Sequence, residues 1–187
     1  MMKFQEGYVL EKFKIEKSGK KLGVILRFPK MSDVKDALKL INKLVDENAL
    51  VIAVKKKTLK EEREWLKSSI KDIKKKKLIF IAVEVNGQYL GNVEIISKPD
   101  GMSHVALLSI ALDESIRNLG IGERIIKLAM KLAKQHLKTE VLRLGCFKGN
   151  SAIKLYKKLG FKKCGYFPKE RKRGKIYHDC IIMNKFL

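Results

Sequence analysis

The sequence is poor in cysteine. Its three cysteines, Cys146, Cys164 and Cys180, form no C-x-x-C pair and share no metal-ligand spacing with the histidines. This pattern argues against a metal site or a cysteine nucleophile. Because each cysteine sits in an apolar, strand-like run, we expect buried thiols that act as small hydrophobic side chains. An odd number of unpaired thiols fits a reducing compartment.

The sequence also lacks long apolar runs. No uncharged stretch approaches the roughly 20 residues of a membrane span, and charges interrupt residues 1–21, which are therefore not a signal peptide. Neither an internal repeat nor a low-complexity linker is present. With 187 residues, 45% of them apolar, the chain is predicted to form one globular domain without membrane association and to be cytoplasmic.

Acidic residues are scarce as well. The chain has 20 Asp and Glu against 42 Lys and Arg, which gives a net charge of +22. Such a surface attracts phosphates, acidic peptides or RNA. The alternative is that the lysines are only a compositional habit of the source proteome, and the charge alone does not decide between the two.

The first half of the chain predicts a strand and two helices. The strand covers about residues 22–28, and residues 1–21 form an extension or an extra strand. A helix follows at 33–47, with Ser32 as its cap. Residues 48–57 fit a loop or a short strand. A second helix begins at a capping box of Thr58 and Glu61 and runs to Lys75, and its inner face carries Leu59, Trp65, Leu66 and Ile70.

The second half predicts a strand-rich unit. Asn86-Gly87 is a strong hairpin signal between strands at 78–85 and 88–96. Then come a strand at 104–112, a helix at 120–136, a strand at 139–147, a short helix at 151–160 and two closing strands, 161–167 and 175–186. The fold class is α/β (α+β), a mixed, mostly antiparallel sheet of about seven strands with helices on both faces. The strands at 104–112 and 139–147 form one parallel pair.

Two glycines stand where the 120–136 helix begins, in the pattern R-x-x-G-x-G from Arg117 to Gly122. Glycine is a poor helix former, but here it leaves backbone N–H groups unobstructed at the positive end of the helix dipole. Such a helix start can bind a pyrophosphate. A glycine turn without a ligand is the alternative. A dinucleotide fingerprint would need a third glycine, and a Walker loop would need GK[ST].

Two motifs give the sequence a family resemblance. IALDESIRNLGIGERI resembles the acetyl-CoA motif of the GCN5-related N-acetyltransferase (GNAT) superfamily, and SAIKLYKKLGFKKCGY is similar to that family's second conserved segment. The resemblance covers roughly residues 22–186. TLKEEREWL, HVALLSIAL and IYHDCIIM are similar to the branch that contains ribosomal-protein and other peptide N-terminal acetyltransferases.

The resemblance implies acetyl-CoA as co-substrate and no metal. The strand at 104–112 would pair with the pantetheine arm and splay from 139–147 to admit the thioester. Asn150 lies one position later than the family's cofactor-contacting asparagine, so helix capping stays open as its role. The implied cofactor-binding residues are Ile110, Ala111, Leu112, Arg117, Asn118, Leu119, Gly120, Ile121, Gly122, Glu123 and Asn150.

The implied reaction is direct acyl transfer, which needs a base for the ammonium, donors for the developing oxyanion and an acid for the leaving sulfur. Tyr156 matches the family's acid. The strand positions where relatives often carry a glutamate base hold Leu108 and Leu144. The remaining base candidates are Glu94, His104, Glu84 and Asp179. Deprotonation through water, or an amine of low pKa, is the alternative.

The predicted function is acetyl transfer to a primary amine, most suitably a protein or peptide N-terminus. The alternatives are an amino acid or polyamine acceptor, and a catalytically weak module that binds RNA or the ribosome. Basic segments at Lys74 to Lys77 and at 169–175 would favour an acidic or ribosome-associated substrate, with nucleic acid as a further possible partner. Both a monomer and a homodimer are compatible with the sequence.

Overall fold

The computed structural model describes residues 2–47 and 55–187. Within them, eight strands form one sheet in the order β1-β2-β3-β4-β5-β6-β8-β7. The strands are β1 Val9–Lys17, β2 Lys20–Arg27, β3 Leu78–Val85, β4 Gln88–Ser97, β5 Val105–Leu112, β6 Val141–Phe147, β7 Lys162–Arg173 and β8 Ile176–Phe186.

The sheet is antiparallel between all neighbours except β5 and β6, which are parallel. The predicted fold class is therefore confirmed. The sheet has one strand more than predicted, because β1 forms a hairpin with β2 in the segment that was expected to be an extension or an extra strand.

Helices cover both faces of the sheet. They are α1 Val34–Asp46, α2 Leu59–Lys74, α3 Ile121–Leu132 and α4 Ala152–Lys158, and α3 continues into a π-helical turn, Ala133–Leu137. On one face, α1 and α2 pack over β3 and β4, and the ring of Trp65 lies 5.4 Å from that of Phe80. On the other face, α3 and α4 pack against the inner side chains of β3 to β6.

The sequence predicted the start of α2 correctly, but not the cap of α1. The capping box of Thr58 and Glu61 is present at α2. Ser32 does not cap α1; instead the Asp33 carboxylate accepts the backbone N–H of Lys30 at 2.9 Å in a short 3-10 turn. Leu59 is 39% exposed, and the inner stripe of α2 begins one turn later, at Glu62.

Of the predicted loop or strand at 48–57, only 55–57 lie within the described residues, and they form neither helix nor strand. Cys146 is buried and Cys180 is half-buried, but Cys164 is exposed because β7 is an edge strand. The prediction of three buried thiols was therefore wrong for Cys164.

No helix in the described ranges has the length and apolarity required to cross a bilayer.

Candidate functional site

A gap opens between β5 and β6. The two strands are paired only from Val105↔Val141 to Leu107↔Arg143. Beyond that point β5 stays paired with β4 as far as Leu112, and β6 with β8 as far as Phe147. The parallel pair therefore splays over its second half, as predicted, and leaves the facing backbone edges unpaired.

In β5, the backbone N–H and C=O groups of every second residue point toward this gap. The N–H of Asp113 donates to the carbonyl of Leu90, on the β4 side, at 2.8 Å. Because strand hydrogen bonds alternate in direction, the backbone groups of Ile110 and Leu112 point toward the gap, and those of Ala111 point toward β4. The Leu112 carbonyl already accepts Nε of Arg117 at 2.9 Å, which leaves Ile110 as the open pairing position.

The start of α3 lies at the mouth of the gap, after β5. Its N-cap Gly120 has φ +77, and Asn118 has φ +62. The first intrahelical hydrogen bond runs from the N–H of Arg124 to the Gly120 carbonyl at 3.2 Å. The N–H groups between them therefore lack intrahelical acceptors and stand at the positive end of the helix dipole.

The two glycines serve different purposes. A Cβ on Gly120 would meet no atom within 4 Å, so glycine is needed there for its left-handed backbone. A Cβ on Gly122 would lie 3.3 Å from Cδ2 of Leu155 and 3.5 Å from Cδ1 of Leu112. Gly122 thus lets the helix start approach α4 and the end of β5. This cradle of bare amides fits a pyrophosphate.

Charged side chains around the helix start are already paired. The Arg117 guanidinium bonds Glu47 at 2.9 Å as well as the Leu112 carbonyl, so a contact with pyrophosphate stays a prediction. Glu123 accepts from the ammonium groups of Lys127 and Lys158, both at 2.6 Å. These two hydrogen bonds lower the pKa of Glu123 to about 2. They also offset its negative charge beside the amide cradle.

Tyr156 lies on α4 beside the part of β6 that has separated from β5. It is 6% exposed, and its ring meets that of Phe161 edge-on, with centroids 6.0 Å apart. Burial, with a smaller contribution from Cys146, raises the pKa of Tyr156 to about 12. The phenol therefore keeps its proton at neutral pH, as an acid for a leaving thiolate requires.

Asn150 has a defined structural role. Its side-chain oxygen accepts the backbone N–H of Ala152 at 2.9 Å, at the start of α4. The capping alternative is thus realised, and a cofactor contact by Asn150 stays a prediction.

Among the base candidates, Glu94 lies on the sheet face beneath α1 and α2. Its strand partners are Phe80 on β3 and Ser109 on β5, and its carboxylate accepts the Asn92 amide at 2.9 Å. The side chain is partly exposed. Burial, followed by the charge of Glu62, raises the pKa of Glu94 to about 7, and the Asn92 hydrogen bond opposes the rise. Glu94 is thus poised to exchange a proton near neutral pH.

The other base candidates are not brought to the gap. His104 is exposed and precedes β5, at the end where β5 and β6 are still paired. Glu84 is held by Nε of Arg27 at 2.7 Å. Asp179 accepts the hydroxyl of Tyr166 and the N–H of Lys169, and these bonds lower its pKa.

Leu108 and Leu144, where relatives often carry a glutamate, are buried on the opposite face, in the core under α3. A carboxylate there would face the core rather than Glu94.

Three buried polar residues near Glu94 escaped the sequence reasoning: Glu62, Tyr89 and Asn92. Glu62 carried a signal, because it falls on the inner stripe of α2 with Leu66, Ile70 and Ile73. Its place beside the capping Glu61 made it look like an ordinary first-turn acid. Tyr89 and Asn92 carried none, since the alternation of β4 predicts which residues share a face but not which face is covered.

The basic segment 169–175 is mostly strand. β7 continues to Arg173, and the turn to β8 is confined to Gly174 and Lys175. The ammonium groups of Lys169 and Lys172 lie 5.7 Å and 5.2 Å from the ring centroid of the exposed Tyr177. The hairpin therefore presents a basic, aromatic strand edge rather than a basic turn.

Known proteins share this fold and part of this sequence. A ribosomal-protein-alanine N-acetyltransferase from Brucella melitensis superposes with a TM-score of 0.78 at 24% identity, covering 87% of this chain and 99% of that one. RimL, a ribosomal alpha-N-protein acetyltransferase in complex with coenzyme A, superposes with a TM-score of 0.76 at 16% identity, covering 94% and 98%. At these identities the two structures show the fold.

Sequence comparison gives the family. An N-alpha-acetyltransferase from Sulfurisphaera tokodaii is 32% identical over 103 residues, which cover 50% of this chain and 62% of that curated relative. The profile of the acetyltransferase (GNAT) family matches residues 43–161, which include α2, the splayed strands, α3 and α4. The chain belongs to the acetyltransferase (GNAT) family.

Proposed function

We propose that this protein transfers an acetyl group from acetyl-CoA to the α-amine of a protein or peptide N-terminus. The observation that carries the proposal is the juxtaposition at one gap of the bare amides of α3 and the unpaired edge of β5. Membership of the GNAT family and coenzyme A in the RimL structure support the same chemistry.

The amides from Leu119 to Glu123 would hold the pyrophosphate of coenzyme A, and the backbone of Ile110 would pair with its pantetheine arm. Bound acetyl-CoA supplies an acetyl group activated as a thioester. The position of Tyr156 beside the separated part of β6 would then place its phenol at the inner end of the gap.

Tyr156 would act as the acid. Its hydroxyl carries a proton throughout the neutral range, because the pKa is about 12. Burial keeps the proton on the phenol until a thiolate forms, but it also makes transfer to the leaving sulfur uphill, because the phenol's pKa lies above that of an ordinary thiol. The phenolate would regain a proton from the nitrogen of the reacting amine.

Glu94 would act as the base. Its carboxylate has a pKa of about 7, close to the 7.7–8.0 of an ordinary α-amine and far below the roughly 10.4 of a lysine. Each pKa unit corresponds to about 1.4 kcal/mol, so proton transfer costs about 1 kcal/mol for the α-ammonium and about 4–5 kcal/mol for a lysine. An N-terminal amine is therefore the better acceptor for this base.

The names of the relatives point to the same acceptor class, N-alpha amines and ribosomal-protein N-termini. The basic edge at Lys169 and Lys172 would favour an acidic peptide beside the reacting amine. A polyamine acceptor fits poorly, since a +22 protein repels cations at long range.

The test is a thiol-release assay with acetyl-CoA across four acceptor classes: peptides with a free N-terminus, N-terminally blocked peptides with an internal lysine, amino acids, and polyamines. We expect release with free N-termini and little with blocked peptides. Acetylation of only internal lysines or only small amines would contradict the acceptor assignment. Salt-dependent RNA binding without any thiol release would favour the binding module instead.

A further inference from the structure

A second carboxyl group lies behind Glu94, beneath α2. Glu62 is 6% exposed and falls on the inner stripe of that helix, one turn before Leu66. Within residues 2–47 and 55–187, its carboxylate makes no hydrogen bond or ion pair. A carboxylate without a partner in a largely buried residue is costly, because burial favours the neutral form of an acid. Its place calls for a function, because the other buried residues of that stripe carry no charge: Leu66, Ser69, Ile70 and Ile73.

The packing of α2 places Glu62 over the same sheet face as Glu94. Trp65, three residues along the helix, stacks on Phe80, and Phe80 is the β3 partner of Glu94. Trp65 also packs against the cluster that contains Tyr89 and Ala111, and Ala111 is the β5 partner of Asn92. The inner face of α2 therefore covers Glu94 and its neighbours on three adjacent strands.

A third polar group in this space also lacks a partner. The hydroxyl of Tyr89 is buried and makes no hydrogen bond within the described part of the chain, and the residue is 4% exposed. An orphaned hydroxyl typically costs about 1–3 kcal/mol. The pKa of Tyr89 is raised by burial first and by Glu94 next, so its phenol stays neutral and available as a donor.

The surrounding charges do not neutralise this acid pair. Arg27 is a buried cation, but it already holds Asp33 through two hydrogen bonds of 2.8 Å and Glu84 through one of 2.7 Å. Lys57 near the start of α2 is exposed and only partly opposes the effect of burial on the pKa of Glu62, to which Glu61 adds. Two carboxylates in one poorly hydrated space cannot both stay ionised without mutual repulsion.

We propose that Glu62 is a positioning residue for the proton transfer at Glu94: the charge of the Glu62 carboxylate keeps the ionised Glu94 basic, so that the pair takes up one proton, on Glu94. When the acceptor ammonium arrives, its N–H bond breaks and an O–H bond forms on the Glu94 carboxylate, which leaves a neutral amine. Because Glu94 is partly exposed and Glu62 is not, Glu94 is the member that meets the acceptor. The inference rests on the proposed function only for the use of Glu94 as the base.

The direct test is carbon NMR of protein labelled at the glutamate side-chain carboxyl, titrated without substrate. The Glu94 resonance is assigned by its loss in Glu94→Gln. In the parent protein it should titrate near the pH of its elevated pKa, about 7. In Glu62→Gln, which keeps the size and removes the charge, its midpoint should fall by about 1 pH unit or more. Glu64→Gln, an exposed neighbour on the same helix, should leave it unchanged.

Two further variants separate the effect of the Glu62 charge from an effect on folding. Glu62→Asp retains the charge and should keep the Glu94 midpoint close to that of the parent. If Glu62→Gln does not fold, Glu62→Leu removes the same charge with a side chain matching Leu66 on the stripe. A Glu94 midpoint that is unmoved in the neutral variants, or that lies near the ordinary 4.5 in the parent, would overturn the pair.

Kinetics distinguish the pair from the proposed function. For a peptide with a free N-terminus, the acid limb of kcat/KM should move to lower pH in Glu62→Gln by the same amount as the NMR midpoint. If Glu62→Gln lowers the rate but does not move the acid limb of kcat/KM, the role of Glu62 is structural only. If the NMR midpoint shifts but no peptide is acetylated by any variant, the carboxyl pair stands and its catalytic use is overturned. If peptides are acetylated and the midpoint does not shift, the proposed function stands and the pair falls.

Discussion

Gly122 at the start of α3 and Leu155 on α4 approach so closely that a Cβ atom on the glycine would lie 3.3 Å from Cδ2 of the leucine. Two residues earlier, Gly120 has open space around it but a left-handed backbone, with φ +77. Gly122 is thus required by packing and Gly120 by its backbone conformation, and together they form the amide cradle.

These two constraints predict different stability costs. Gly120→Ala should lower the free energy of unfolding by about 1–2 kcal/mol, since a left-handed alanine is strained. Gly122→Ala gains up to about 1 kcal/mol of helix propensity and loses a comparable amount to the tight contact with Leu155, so its net change should be smaller. Urea denaturation of both variants measures this order, and a larger loss in Gly122→Ala would contradict it.

Tyr156→Phe should lower kcat by at least about 10-fold, because it removes the proton of a general acid and keeps the ring. Coenzyme A affinity should change little. The measurement is thiol release under saturating acetyl-CoA, with Tyr177→Phe, an exposed tyrosine on β8, as the matched control. Turnover by Tyr156→Phe at the parent rate would remove this residue from the mechanism.

Glu94 should make the fold less stable as the pH rises. Its folded pKa of about 7 lies above the ordinary value of 4.5, so folding favours the protonated form. The corresponding stability is fully present below pH 4.5 and is lost as the pH rises through about 7. Urea denaturation across this window should show a steeper decline for the parent than for Glu94→Gln. Identical profiles would mean that the carboxyl is ordinary.

Arg27 should be essential to the fold. It is buried between Asp33 and Glu84, and its removal leaves two carboxylates without their cation. Arg27→Met should destabilise the protein by about 3–5 kcal/mol, the usual cost of breaking a buried ion pair on one side. Chemical denaturation provides the value. A loss below about 1 kcal/mol would show that water replaces the guanidinium at little cost.

Salt should weaken the use of acidic peptides. Raising salt from about 0.1 M to about 1 M shortens the screening length from about 10 Å to about 3 Å. We expect kcat/KM for an acidic peptide to fall at least severalfold and that for a neutral peptide to fall much less. Lys172→Gln on the exposed edge of β7 should reduce the difference between the two peptides. An equal response would show that the basic edge does not select acceptors.

The sequence predicted the elements that follow local rules. The Thr58–Glu61 capping box, the Asn86-Gly87 hairpin and the glycine turn before α3 each depend on residues close together in the chain. The splay between β5 and β6 followed from the family resemblance rather than from any local pattern.

The features that sequence reasoning missed depend on contacts between distant segments. Ser32 looked like a cap, but Asp33 takes the local hydrogen bond, and Arg27 at the end of β2 holds its carboxylate together with Glu84 of β3. Cys164 looked buried because its run is apolar, but its strand is at the sheet edge. Tyr89 and Asn92 are buried because α1 and α2 cover their face of β4, which the sequence of β4 does not contain.

The candidate base shows the same limit. In sequence, Glu94 and His104 were alternatives together with Glu84 and Asp179. The register of β4 with β5 puts Glu94 beside Ser109, on the splayed part of β5, while His104 stands at the paired end. Register between strands is set by turn geometry and by packing on both faces, which no single strand's sequence contains.

Calorimetric titration of the parent protein and of Gly122→Val with coenzyme A is the most direct test of the central claim, that the bare amides before α3 hold the nucleotide's pyrophosphate. We predict one site per parent chain with a micromolar Kd, and binding at least about 10-fold weaker in Gly122→Val, whose side chain would intrude on Leu155 and Leu112. The absence of saturable binding to the parent, or equal affinity in the folded variant, would contradict it.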